Sequence, residues 1–248
     1  MSLTNFEIII GCLTLAFVII STILGVLIIL RYFKHKNNLF LLVGLTWIIM
    51  SEIWWSSSFS FVYALITGGE GFTDELYFFI GNIGVPLGIF VWMSAFMDFK
   101  FPAKKKLILL IFAVIAIVYY VVFIVLIVLD VSLLGKMRGI VDGIYTPLAL
   151  VFLLTGLFTF VISGLIFGRE SLKSKNPEIK LKGKFLVAAF ISFGIGAGLD
   201  GFKPFLFPAT SLDIILLINR IILISSAFEF YLGFVLPDRI KSILLKEY

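Results

Sequence analysis

The sequence predicts an all-α integral membrane protein, a bundle of seven transmembrane helices with its N-terminus outside the cytoplasm and its C-terminus inside. Three observations predict this fold class. The chain is 61% hydrophobic and only 14% charged, with a mean hydropathy of +1.15, whereas about a quarter of the residues in a soluble domain are charged. Its apolar residues form seven long runs, and its basic residues cluster in every second connection. We therefore expect a multi-pass protein of the cell membrane.

The seven apolar runs are close to or longer than the ~20 residues that an α-helix needs to cross ~30 Å of hydrocarbon. They make residues 1–236 a single transmembrane domain, because the connections between them are too short to hold a soluble domain. The predicted spans are 6–30, 39–66, 75–97, 107–129, 143–167, 185–202 and 212–236.

Basic residues predict the orientation, because lysine and arginine in short connections resist translocation across the membrane. Sixteen of the twenty lysines and arginines lie in four connections that share one side of the membrane. These connections are 31–38, 98–106, 168–184 and 236–248. The alternate connections hold only Lys136, Arg138 and Lys203. The first set is therefore expected in the cytoplasm.

The last twelve residues, 237–248, are predicted to form a short amphipathic helix on the inner membrane surface. Pro237 and Asp238 suit the first turn of a helix. The alternative is a frayed polar tail. The apolar side of the helix would contain Ile240, Ile243 and Leu244, and the basic side Arg239, Lys241 and Lys246.

Ionisable residues inside the spans point to a candidate site, because each costs at least ~2.5 kcal/mol in hydrocarbon and normally faces the bundle interior. Glu52 lies midway along the second span, and Arg220 and Glu229 lie in the seventh. Glu52 and Arg220 have similar depths, so a salt bridge between the second and seventh helices is expected. The alternative partner of Arg220 is Asp213, two turns earlier on the same helix. Such a pair could hold helices together or line a ligand or ion site.

Polar and aromatic neighbours extend this candidate site. Trp55 and Ser56 share a side of the second helix with Glu52. On the seventh helix, Asn219 and Ser226 form a polar stripe with Glu229. Packing in an aromatic core is the alternative explanation for the aromatic members. The candidate interior network consists of Glu52, Trp55, Ser56, Asn219, Arg220, Ser226 and Glu229.

Glycines and prolines within the spans predict close helix packing and kinks. Small residues four positions apart permit two helices to approach closely, and a proline kinks a helix by freeing a backbone carbonyl. Kinks can also widen a pocket, which is the alternative explanation for such residues, and we favour packing. The candidates are Gly84, Pro86 and Gly88 in the third span, Pro147 near the start of the fifth, and Gly194 and Gly198 in the sixth.

The sequence lacks the residues that several kinds of chemistry require. His35 is the only histidine and lies in a basic connection, so we expect no histidine metal site, no bis-histidine haem and no other cofactor. No Gly-x-Ser-x-Gly or intramembrane aspartate motif is present, so we expect no enzyme. The seventh span contains no lysine that could bind retinal. The basic clusters form no continuous face for phosphates, so we expect no nucleic acid partner.

The third span carries the strongest resemblance to a known family. Residues 77–86 read YFFIGNIGVP, and Trp92 and Phe96 follow. This arrangement resembles the seven-helix membrane sensor region at the N-terminus of some prokaryotic histidine kinases, whose third helix has a similar pattern of small residues and proline. The resemblance covers most of the span layout and implies a sensory role. No kinase or other output domain follows the seventh span here, so signalling would require a partner protein.

Three functional hypotheses follow. The first is a stand-alone sensor or receptor-like protein that binds a small or apolar ligand between helices two, three, six and seven and signals through a partner protein. Its cytoplasmic ends would contact that partner or anionic lipid in the bilayer. The second is a transporter or channel with a polar path at Glu52, Arg220 and Glu229. The third is a structural subunit of a larger membrane complex.

Overall fold

The structure is a computed structural model that describes residues 3–245. The chain is 84% helical, and seven of its helical segments are long and apolar enough to cross a membrane. The prediction of an all-α, multi-pass membrane protein with seven spans is therefore confirmed. The spans are Asn5–His35, Asn38–Thr67, Asp74–Lys100, Pro102–Leu133, Pro147–Leu172, Pro177–Leu206 and Ala209–Phe234.

The first span is one helix, α1 (Asn5–His35). It begins with a capping box, in which the Glu7 amide donates to Thr4 Oγ1 at 3.2 Å and the Thr4 amide donates to Glu7 Oε2 at 3.0 Å. It ends at Lys36, which has a left-handed conformation with φ of 53°. Its 31 residues give a length of about 46 Å, so the ends of α1 extend beyond ~30 Å of hydrocarbon.

The second span is interrupted, whereas the sequence predicted a continuous helix over 39–66. It consists of α2 (Asn38–Met50), a 3₁₀ turn over Glu52–Trp54, and α3 (Trp55–Thr67). Ser51 ends α2, and its hydroxyl donates to the carbonyl of Ile48 at 2.7 Å. Serine side chains compete for backbone acceptors in this way and disfavour a regular helix. The interruption lies at Glu52. The sequence did not predict it, because long apolar stretches precede and follow this position.

The third span is also interrupted, and the predicted kink at Pro86 is wrong. Helix α4 (Asp74–Ile80) ends at Gly81, and α5 (Val85–Lys100) begins four residues later. Pro86 therefore lies in the first turn of α5. Proline lacks an amide N–H and is tolerated in a first turn, where that donor would have no intrahelical acceptor. The span is broken before the proline and not bent at it.

A β-hairpin separates the fourth span, whose main helix is α6 (Lys105–Asp130), from the fifth, α7 (Pro147–Leu172). Strands β1 (Gly135–Met137) and β2 (Gly143–Tyr145) pair antiparallel, with Gly135 opposite Tyr145. Residues 143–145 were predicted as helix, and this prediction is wrong.

Pro147 is the first residue of α7, and the kink predicted there is also wrong. The residue before it, Thr146, caps the helix by accepting a hydrogen bond from the Ala149 amide at 3.3 Å. Proline is favoured at the first position of a helix because its φ angle is already helical. Pro147 therefore starts the fifth span without bending it.

The remaining helices are α8 (Pro177–Leu206), α9 (Leu212–Phe234) and α10 (Asp238–Leu244). Helix α8 packs between α7 and α9, α1 packs between α9 and α2, and α5 connects α2 to α7, so these helices surround a common interior. Helix α6 packs outside them on α5, and Phe123 is its one buried residue. Its outward apolar side chains suit contact with lipid.

Helix α10 is the described part of the predicted C-terminal helix. Lys241 on α10 forms an ion pair with Glu178 at the start of α8. Residues 246–248 of the predicted tail, including Lys246, lie outside the described residues. Below, the end of the bundle with residues 135–145 is called the hairpin end, and the opposite end, with residues 238–244, is called the α10 end.

Candidate functional site

Arg220 lies inside the bundle, with a side chain that is only 1% exposed. Its Nη1 donates to Oδ2 of Asp200 on α8 at 3.0 Å, and its Nε donates to Oγ1 of Thr14 on α1 at 2.8 Å. The indole Nε1 of Trp54 donates to the same Asp200 oxygen at 2.8 Å. Asp200 and Arg220 therefore connect four of the seven spans.

The network continues from Asp200 to the hairpin end through alternating charges. Lys203 Nζ lies 2.8 Å from Oδ1 of Asp200 and 2.5 Å from Oδ1 of Asp142, which belongs to the hairpin. Arg138 then joins Asp142 at 2.9 Å and Asp213 at 3.1 Å. We call this network the ion chain. Its members, from the interior outward, are Arg220, Asp200, Lys203, Asp142, Arg138 and Asp213.

The ion chain carries no net formal charge, because its three carboxylates alternate with three cations. Burying an unpaired charge is costly, and pairing with additional hydrogen bonds offsets that cost. The side chain of Asp213 at one end is 52% exposed, whereas that of Arg220 at the other end is 1% exposed. The ion chain therefore extends from the surface at the hairpin end into the bundle interior.

Both predicted partners of Arg220 are wrong. Glu52 accepts a hydrogen bond from the Gly84 amide, and Asp213 pairs with Arg138. The partner is Asp200 on α8, which packs against α9 and continues to Leu206, so Asp200 lies more than one turn before the end of the sixth span. An acid and a base three residues apart, Asp200 and Lys203, were the available signal in the sequence.

Glu52 caps the broken third span. Its Oε1 accepts a hydrogen bond from the Gly84 amide, the residue before α5, at 2.8 Å. The hydroxyl of Tyr120 on α6 donates to the Ile83 carbonyl at 2.8 Å, and Asn82 Nδ2 donates to the Phe78 carbonyl at 2.7 Å. Side chains thus satisfy backbone groups that the break exposes, as a nonpolar environment requires. This arrangement gives Glu52 a structural role.

The aromatic residue that lines the interior beside Glu52 is Trp54 and not Trp55. Trp54 is 1% exposed and bonds Asp200. The indole of Trp55 instead donates to Ser51 within its own span at 3.2 Å, and Ser56 donates to the Ile53 carbonyl at 3.1 Å. The 3₁₀ turn changes the helical phase at this point, so a projection of a regular helix selects the wrong tryptophan.

The polar stripe predicted on the seventh span does not line a continuous path. Ser226 donates to the Leu223 carbonyl of its own helix at 2.7 Å. Glu229 accepts from Ser225 at 2.9 Å on the same helix. Asn219 is fully buried, and its amide atoms have no hydrogen-bond partner among residues 3–245. None of these three residues joins the ion chain, whereas Arg220 of the same helix does.

Among the predicted packing glycines, three lie close to another helix. A Cβ atom added at Gly84 would overlap Oε2 of Glu52. A Cβ atom added at Gly88 would lie 3.0 Å from Ile49. A Cβ atom added at Gly194 would lie 3.2 Å from Val161. A Cβ at Gly198 would meet no atom within 4 Å, so Gly198 forms no close approach. Its neighbour Gly196 does, at 2.8 Å from Leu223 on α9.

A cavity of about 60 Å³ lies beside the inner end of the ion chain. Its polar wall contains Trp54, Ser57, Tyr77, Asp142, Tyr145, Asp200 and Arg220. Its apolar wall contains Met50, Ile53, Val85, Phe193, Ala197 and four leucines of α7, at positions 150, 153, 154 and 157. We call these four residues the leucine wall.

Two residues of the polar wall have hydrogen-bond donors that bond none of the described residues. The guanidinium of Arg220 has five N–H donors, and Nη2 donates to none of the described residues. The Tyr145 hydroxyl accepts from Asn82 at 3.2 Å, and its own proton has no acceptor within residues 3–245. Burial raises the pKa of this hydroxyl above its ordinary value, so it remains protonated. The hydroxyls of Ser57 and Tyr77 bond each other at 2.6 Å.

Asp142 separates the cavity from a surface cleft at the hairpin end. The cleft has a volume of about 850 Å³ and is also lined by Glu7, Arg138 and Asp213. Asp142 lines both spaces and is held by Lys203 and Arg138. Asp142 and its two ion pairs therefore lie where the cleft and the cavity adjoin.

No cluster of three or more histidine, cysteine, aspartate or glutamate side chains suited to a metal ion occurs within the described residues. The site consists of paired charges, hydroxyls and an apolar wall. No protein-family model matches the chain, and a search of curated proteins gives no significant match.

Proposed function

We propose that the chain is a receptor-like membrane protein that binds a small amphipathic ligand in the interior cavity and signals through a partner protein. The observation that carries this proposal is the cavity, which places spare donors of Arg220 and Tyr145 near the leucine wall. Pockets that combine an apolar lining with a few convergent polar groups are typical of ligand sites. The resemblance of residues 77–96 to histidine kinase sensor regions supports sensing as the role.

The ligand that suits these groups has a head that accepts hydrogen bonds and a short aliphatic tail. The charges of the ion chain are already paired, and the spare groups on Arg220 and Tyr145 are donors. A carboxylate or carbonyl oxygen accepts from them, whereas an ammonium group has only donors of its own. The leucine wall would remove the tail from water, which contributes about 0.8 kcal/mol for each CH₂ group.

We place the hairpin end outside the cytoplasm and the α10 end inside, in the cell membrane, because the basic connections lie at the α10 end. To test this, Cys12, the single cysteine, is replaced by alanine, and a cysteine is introduced by Lys136→Cys or Lys175→Cys. Both lysines are exposed. A membrane-impermeant maleimide should label intact cells at position 136 and should reach position 175 only after permeabilisation. The reverse pattern would contradict the orientation.

Ala197→Leu is expected to abolish ligand binding and leave the bundle folded. Ala197 lines the cavity from α8, so a larger side chain would occupy part of the space that the ligand needs. The probe is hexanoate, with hexanamide and hexylamine of equal chain length beside it. A ligand at one hundred times its Kd raises the free energy of unfolding by about 2.7 kcal/mol. Hexanoate and hexanamide should therefore raise the Tm of the wild-type chain, and hexylamine should not.

Gly198→Leu is the matched control, because this neighbouring position has open space around it. It should retain the response to hexanoate that Ala197→Leu loses. Equal stabilisation by hexylamine would contradict the proposed head group. An unchanged hexanoate response in a folded Ala197→Leu variant would show that the cavity is not the binding site.

Transport is a second candidate function, and one observation favours it. The second and third spans are both interrupted, at Glu52 and between Ile80 and Val85, and discontinuous helices are typical of secondary transporters. Liposomes that contain the chain distinguish the two functions. Hexanoate uptake above that of empty vesicles, removed by Ala197→Leu, would favour transport, whereas binding without uptake would favour a receptor.

A further inference from the structure

A second cleft, independent of the interior cavity, lies at the α10 end. It has a volume of about 300 Å³ and lies between the end of α1, the start of α2, the first turns of α8 and the end of α9. We call it the basic cleft. Its lining residues are Arg31, His35, Asn37, Phe40, Lys182, Phe234 and Val235.

The lining of the basic cleft is cationic and contains no carboxylate. Arg31 is half-buried and forms no ion pair with any residue that the structure describes. Lys182 Nζ lies 3.0 Å from Oε1 of Glu178, and the same carboxylate also pairs with Lys241 of α10. Two lysines on one carboxylate leave this part of the cleft with a net positive charge.

The N-terminus of α2 adds a second attraction for an anion. Helix α2 has 13 residues and begins at Asn38, and Asn37 caps it by accepting from the Leu39 amide at 2.9 Å. The amide groups at a helix N-terminus carry a partial positive charge. Because Asn37 lines the cleft, this end of α2 lies beside the side chains of Arg31 and Lys182.

The depth of the cleft matches the lipid headgroup region. Arg31 directly follows the apolar run of the first span, and Lys182 lies one turn before the apolar run of the sixth. Both side chains therefore lie at the edge of the hydrocarbon, where long basic side chains extend toward headgroups. Phe40 and Phe234 supply an apolar side of the same cleft. Water-soluble anions would use the cations but not these aromatic rings.

We infer that the basic cleft binds the phosphate of an anionic membrane lipid, with the guanidinium of Arg31 as the main phosphate donor. Arginine presents a planar pair of N–H donors that matches two phosphate oxygens. Lys182 adds a point charge, and Phe40 and Phe234 contact the glycerol and upper acyl chains. Basic pockets between transmembrane helices bind lipid headgroups by this combination of charge and apolar contact.

The experiment measures lipid binding to the delipidated full-length chain by native mass spectrometry. Phosphatidylglycerol should bind more tightly than phosphatidylcholine of the same acyl composition. The variant Arg31→Gln/Lys182→Gln should weaken phosphatidylglycerol binding roughly 30-fold, from about 1 kcal/mol for each basic residue. Its phosphatidylcholine binding should not change.

The matched control is Lys104→Gln/Lys106→Gln, which removes two exposed basic residues that do not line the cleft. It should bind phosphatidylglycerol as the wild-type chain does, and an equal loss in both double variants would overturn the proposal. A wild-type chain without preference between the two lipids would also overturn it, even if the cleft variant fails to fold. Glycerol phosphate that competes as strongly as the lipid would assign the cleft to a soluble phosphate compound and overturn the lipid assignment.

Discussion

Asp200→Asn is expected to lower the free energy of unfolding by about 3 to 5 kcal/mol, the range for removing one partner of a buried ion pair. Asp200 accepts hydrogen bonds from Lys203, Arg220 and Trp54. Asparagine has nearly the same shape but carries no charge, so Arg220 would retain its positive charge inside the bundle without an ionised partner. The loss therefore comes from an uncompensated charge and not from a cavity.

The measurement is the unfolding of the purified chain in detergent micelles, and the matched control is Asp98→Asn. Asp98 also pairs with a lysine, Lys105, at 2.6 Å, but its side chain is 49% exposed. An exposed pair contributes about 0 to 1 kcal/mol. Equal losses in Asp200→Asn and Asp98→Asn would mean that water reaches the inner end of the ion chain.

A double variant separates the charge from the hydrogen bonds. Asp200→Asn/Arg220→Met removes both partners of the inner pair, so no buried guanidinium is left without a carboxylate. Its stability loss should be smaller than the sum of the two single losses, because the two sites are in direct contact at 3.0 Å. Additive losses would mean that the two side chains act independently.

The sequence predicted the number and positions of the seven spans because long apolar runs leave a chain few structures other than membrane-spanning helices. It did not predict the interruption at Glu52 or the break before Val85, because both lie within a longer apolar run, and a few polar residues or glycines do not by themselves show where a helix ends. The hairpin at Gly135–Tyr145 was missed for the same reason, since residues 143–145 precede an apolar run without a charged boundary.

The candidate site was predicted only in part. Arg220 was identified from its charge alone, but its partner depends on how α8 packs against α9 around Gly196. That contact is tertiary and leaves no periodic signal in the sequence. Asp142 entered no sequence-based prediction, because its role depends on a hairpin that brings it to Lys203 over a separation of 61 residues. A pair of residues so far apart in the sequence can be identified only from the folded structure.

Gly84→Ala is expected to destabilise the chain by about 1 to 3 kcal/mol, the range for overpacking a filled interior. The backbone at Gly84 is right-handed helical, with φ of −90°, so alanine causes no backbone strain. The cost arises because the new Cβ would overlap Oε2 of Glu52. The carboxylate must shift to make room for the methyl group, and a shift that releases the Gly84 amide from Oε1 leaves an unpaired buried amide, which costs about 1 to 3 kcal/mol. Either outcome weakens the start of α5.

The matched control is Gly198→Ala, where an added Cβ meets no atom within 4 Å. Because alanine favours helix over glycine by about 1 kcal/mol, Gly198→Ala should leave the Tm unchanged or raise it. Glu52→Ala removes the carboxylate that the new methyl group would overlap, so Gly84→Ala should cost less in that background than in the wild-type chain. An equal cost in both backgrounds would mean that Glu52 does not hold the broken span. Val85, the residue after Gly84, lines the cavity, so the same substitution should also weaken hexanoate binding if the break sets the shape of the ligand site.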